Sequence, residues 1–162
     1  MRRLSILLLV VVSALIVSAS SSAAPTLKPT ETKWVKLSAV WLAGIAQADA
    51  RLYAAVQDPN APWEAIDDEL YILEKCRSAL DLVGLPKGKV KTTAIIWRQA
   101  CDEFEQFVYY FRLGATTQES TWQVAFQASF NFYQNGWRLI YNGISAAPYP
   151  WNIRLCVPVG GC

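Results

Sequence analysis

Asp49 and Glu69 are the two carboxylates whose positions could support chemistry. Projected at about 100° per residue, Asp49 falls between Leu42 and Val56 on the apolar arc of one helical segment. Glu69 falls between Leu73 and Cys76 on the next. A lone charge on such an arc is costly to bury, so each acid must be paired or sit in a cavity. Two carboxyls held about 5–9 Å apart in an open cavity would suit acid–base hydrolysis. The bland alternative is an ion pair with Arg77, Arg98 or Arg112. The run Asp67–Glu69 reads as a solvated helix start, where negative charge suits the helix dipole.

Other chemistry is narrowed by what the sequence lacks. It contains no His. That removes the commonest general base, the usual Ser and Cys triads, and His-based metal sites. No glycine-rich phosphate loop appears. No two of the four Cys stand at the two-residue spacing of a structural zinc site. Neither a metal nor a cofactor is expected.

The Cys instead read as two disulfides. Cys76 and Cys101 lie equally far from the 88–89 midpoint of the segment between two helical patterns. In an antiparallel hairpin such residues sit at the same height, so Cys76–Cys101 is the expected staple. Cys156–Cys162 then closes a small loop through "VPVGG".

The stretch "TWQVAFQASFNFYQNGWRLIYNG" (121–143) holds seven aromatics, and Arg138 is its only charge. Trp122, Phe126, Phe130, Tyr133, Trp137, Ile140 and Tyr141 share one broad helical face, which reads mainly as core. Ser129, Gly136 and Gly143 recur every seven residues within it. Glycine costs helix stability, so close packing by another helix or the tail is expected there. The sharper alternative is a ligand groove, floored by Gly136 and Gly143 and walled by Trp137, Tyr133 and Trp122, with Trp137 and Tyr141 available for stacking against the tail. Tyr149 and Trp151 of the proline-rich tail would complete it. An amide-rich outer face with Tyr109, Tyr110 and Phe132 would suit carbohydrate or a protein contact.

Helical segments must position these residues. Apolar spacing of three and four predicts helices over about 31–57, 62–83, 93–113 and 116–144. Pro59 and Pro62, then Gly84 and Pro86, then Gly114 separate them. Thr116 and Glu119 have the spacing of a capping box for the fourth. Short connections favour an all-α, up-down-up-down four-helix bundle over 31–145, stapled by disulfide. Residues 24–30 read as a linker, and 146–162 as an ordered extended tail over the helices.

The first 23 residues have the layout of a secretory signal peptide: Arg2 and Arg3, an apolar stretch from Leu4 to Val17, then small residues up to Ala23. Secretion or periplasmic export follows. The chain has 15 Lys+Arg and 13 Asp+Glu; removing Arg2 and Arg3 leaves 13 of each. That balance argues against nucleic acid or an anionic membrane surface as main partner. No later stretch is apolar enough for stable membrane insertion.

The expected function is a secreted binding domain for a protein or carbohydrate ligand. A carboxylate-based hydrolase using Asp49 and Glu69 is the alternative.

Overall fold

A computed structural model describes residues 27–117 and 121–147. These residues are helical with no strand among them. The helices are α1 (Pro29–Gln57), α2 (Trp63–Glu74), α3 (Cys76–Val83), α4 (Lys91–Thr116) and α5 (Thr121–Ser145).

Local chemistry explains most boundaries. Pro29 opens α1, where its missing N–H costs nothing. Glu31 accepts the backbone N–H of Lys28 at 2.7 Å, satisfying one of the free donors at the helix start. Asp58 and Pro59 end it. Gly84, at φ 84°, ends α3 in a conformation that suits glycine.

The expected second helix is bent into α2 and α3 at Lys75. Helical hydrogen bonds still pass through the bend, from Lys75 N–H to Tyr71 O and from Ala79 N–H to Lys75 O. Just beyond it, the Cys76 carbonyl accepts the Trp41 indole N–H at 3.2 Å, and Cys76 is bonded to Cys101. These tertiary demands coincide with the bend, which contains no Gly or Pro.

Two expected boundaries move. Gly114 does not stop α4 but lies buried within it, against the Phe126 ring. Thr116 opens no helix. It closes α4, and its hydroxyl bonds back to the Arg112 carbonyl.

Successive segments contact each other at matching heights. Between α4 and α5, Gly114 meets Phe126, Phe104 meets Gly136, and Trp97 meets Gly143. In each pair the two residues lie equally far from position 120, the pattern of an antiparallel pair. Between α2–α3 and α4, Arg112 bonds Asp67 and Glu74, and Arg77 bonds Asp102. The expected Cys76–Cys101 disulfide joins the same two layers, and both Cys are fully buried.

Trp97 lies at the centre of the core. It stacks on Trp34 at 5.7 Å and tilts against Trp41 at 5.3 Å. Its indole N–H donates to the Ile140 carbonyl at 3.0 Å. The α4 and α5 backbones approach closely. No Cα of α1, in contrast, comes within 8 Å of either. Large rings span that wider gap, so α1 rests on α4 and α5 through side chains alone.

Residues 148–162, and with them Tyr149, Trp151 and the expected Cys156–Cys162 loop, lie outside the described residues. No helix among the described residues is long and apolar enough to cross a membrane.

Candidate functional site

Asp49 sits on the α1 face turned towards α5, only 3% exposed. Tyr133 and Trp137, one turn apart on α5, supply the donors near its carboxylate. Nε1 of Trp137 is buried and closes no well-aligned hydrogen bond, although the carboxylate is within reach. Desolvation pushes the Asp49 carboxyl from 3.8 up to about 6, against the opposing pull of the two donors. Burial, reinforced by the Asp49 charge, raises the Tyr133 and Tyr141 hydroxyls above their ordinary value. No cation pairs with Asp49 among the described residues.

Glu69 is placed elsewhere. Its two oxygens accept Nε and Nη2 of Arg51 at 2.5 and 2.9 Å. Arg51 follows Asp49 by two residues, about 200° around the helix. The two acids therefore lie on opposite sides of α1 and do not converge. Their expected partners serve other acids. Arg112 bridges Asp67 and Glu74, Arg77 bonds Asp102, and Arg98 bonds Asp81.

The glycine stripe is covered by α4. A β-carbon at Gly136 would lie 2.6 Å from the Phe104 ring, and one at Gly143 would strike the Trp97 indole. The Ser129 hydroxyl turns inward to the Phe126 carbonyl at 2.8 Å. Gly136 and Gly143 thus permit close helix packing and do not floor an open groove. Trp137 and Tyr141 are brought together, 6.4 Å between ring centroids, beside Asp49.

An open groove lies instead over the last turns of α4. It holds about 490 Å³ and is lined by Glu74 of α2 with Glu105, Gln106, Val108, Tyr109, Arg112, Leu113 and Thr116 of α4. Tyr109 stands 60% exposed at its edge. Tyr109 meets Tyr110 edge-on at 5.1 Å, and Tyr110 stacks on Phe132 at 5.4 Å. Arg112 is fixed in the groove by its two carboxylates, 2.8 Å from each. Glu105 has no partner among the described residues. Sequence reasoning identified Tyr109 on an outer face and Arg112 as an ion-pair partner but did not place either in a groove, and it missed Glu105 and Leu113. Tyr110 and Phe132, expected beside Tyr109, are only half-exposed. The signal was present, because 105, 109, 112, 113 and 116 follow helical spacing along the side away from the core.

No protein family, curated protein or solved structure matches this chain.

No cluster of acids and Cys among the described residues could hold a metal ion. Among the described residues the geometry offers a polar–aromatic groove over α4 and a buried Asp49 carboxylate with no cation beside it. Asp49 and Glu69 do not form the facing pair of acids that the hydrolase alternative would need.

Proposed function

We propose that this protein is an exported, non-enzymatic interaction domain, an up-down-up-down four-helix bundle with α2 and α3 as its second arm. It binds a protein partner through the α2–α4 groove. The observation that carries this reading is the groove's composition. Tyr109, Arg112 and Leu113 line an open concavity of about 490 Å³, on a helix stapled to its neighbour by Cys76–Cys101. Tyr and Arg are the residue types that concentrate binding energy at protein interfaces. A preorganised helix loses little entropy on binding. The opposed placement of Asp49 and Glu69 weighs against the hydrolase alternative, and the covered Gly136 and Gly143 weigh against a cleft at that stripe.

A photo-reactive residue at position 109 tests the reading in the fluid into which the protein is exported. A discrete protein crosslink is expected. Tyr109→Ala with Leu113→Ala should weaken binding of that partner at least tenfold, with the melting temperature unchanged. Binding to glycans without a protein crosslink would replace the partner class. Turnover of a substrate that is lost in Asp49→Asn would overturn the reading.

A further inference from the structure

A near-neutral total conceals a marked separation of charge. Six lysines (Lys28, Lys33, Lys36, Lys87, Lys89 and Lys91) belong to the start of α1, the 84–90 connection and the start of α4. Hydrogen bonds hold these segments together at one end of the molecule. The Trp34 indole N–H donates to the Gly84 carbonyl at 2.9 Å, and Glu31 accepts the Lys89 backbone N–H at 2.8 Å. All six lysines are exposed, and none forms an ion pair among the described residues. Two acids lie nearby and both are engaged. Glu31 is buried and takes two backbone N–H groups, while Asp81 is held by Arg98 and Arg77. The opposite end carries Asp58, Glu64 and Asp68, together with Asp67 and Glu69, which are paired with Arg112 and Arg51.

Exposed apolar side chains accompany the lysines. Leu82 is 90% exposed, and Leu85 is half-exposed just beyond Gly84. On α1, Val40 is largely exposed and Leu37 partly so, beside Lys36 and Lys33 at helical spacing. Folding stability explains neither feature. Leu82 buries almost nothing. Lys91 opens α4 against the helix dipole, with no acid in the first turn to offset it.

We propose that this end is a docking surface for the headgroup layer of an anionic lipid bilayer. Lysines there meet lipid phosphates while Leu82 and Leu85 enter the boundary with the acyl chains, the pairing of charge and apolar contact that interfacial proteins use. A soluble polyanion would engage the lysines but leave the leucines in water. The protein lies on the membrane and does not span it. The sequence-level argument against an anionic surface rested on the net total alone, whereas the fold gathers six lysines at one end. This surface is distinct from the α2–α4 groove, so either proposal can fail alone.

Co-sedimentation of the exported protein with vesicles is the test. Binding to phosphatidylglycerol–phosphatidylcholine vesicles is expected, with far less on phosphatidylcholine alone, and it should fall steeply with salt. Lys87→Gln, Lys89→Gln and Lys91→Gln together should reduce partitioning at least ~10-fold. Leu82→Ser should reduce it several-fold. These side chains are exposed, so unchanged melting temperatures are the folding control; Lys33→Gln with Lys36→Gln provides a second charge variant on a different segment. Equal binding to neutral and anionic vesicles, or binding to neither, overturns the proposal. So does full retention by Leu82→Ser with complete competition by polyphosphate, which would mark a site for soluble polyanions.

Discussion

Gly136 of α5 lies directly against the ring of Phe104 on α4, so that a β-carbon there would come within 2.6 Å of Cε1. Phe104 is fully buried and wedged edge-on against Trp137, so it has little room to yield. In an exposed helix, Gly→Ala stabilises by roughly 1 kcal/mol. Here overpacking should outweigh that gain, and Gly136→Ala should destabilise by about 1–2 kcal/mol. Gly44 of α1 is the internal control, because nothing lies within 4 Å of its missing β-carbon. Gly44→Ala should stabilise by about 0.5–1 kcal/mol. Urea unfolding of the two variants should therefore move in opposite directions.

Replacing Cys76 and Cys101 by Ala should cost about 3 kcal/mol, from the entropy regained by a loop spanning 25 residues in the unfolded chain. Peptide mapping without reductant should recover Cys76 linked to Cys101. A peptide joining either to Cys156 or Cys162 would contradict the arrangement.

Asp49 should make the protein more stable in mild acid than at neutral pH. Its folded pKa of about 6 exceeds the reference value of 3.8, so the folded state holds the proton more tightly. The resulting stabilisation is complete below about pH 4 and is lost as pH rises through 6. The full swing is roughly 3 kcal/mol at most. Glu31 acts in the opposite direction: backbone N–H groups of Lys28 and Lys89 lower its pKa, so its contribution is lost on acidification. Thermal melts of Asp49→Asn between pH 4 and 8 isolate the first effect. The variant should match wild type near pH 4 and melt higher at pH 8. An unchanged difference across that range would show that burial does not govern this acid.

Helix existence and the first disulfide were legible in the sequence because both depend on local spacing. The 3.6-residue period marked Trp34, Trp41, Ile45, Ala48 and Leu52 as the inward face of α1, but Leu37 and Val56 on the same stripe are exposed. Equal distances from a turn marked the Cys76–Cys101 height. The partners of the buried acids were not legible. A projection of one helix shows that Asp49 and Glu69 lie near an apolar arc, but not which neighbour each will meet. Arg51 was overlooked because it lies outside that arc, yet its long side chain reaches Glu69 across the α1–α2 seam. Gly114 was misread for a related reason. Glycine stops a helix when nothing rewards its small size, and here the Phe126 ring occupies the space that a side chain would need. The terminal charge separation was hidden because it depends on which distant segments share an end.

Gly114 also bears on an ambiguity of alignment. Trp97 and Phe104 are seven residues apart, and so are Gly136 and Gly143. Ser129 continues that series, so the hairpin could slip by seven residues and still place both rings over small side chains: Phe104 over Ser129 and Trp97 over Gly136. Other contacts distinguish the two alignments, among them the Tyr110–Phe132 stack, the Tyr133 and Trp137 donors beside Asp49, and the third glycine contact. In the slipped form Phe126 would face Phe107, ring upon ring, instead of the bare backbone at Gly114. Gly114 is therefore one of the contacts that favour the observed alignment where the repeat alone permits two. Gly114→Ala should weaken that choice as well as the fold, and doubled amide resonances along α5 would reveal the second alignment.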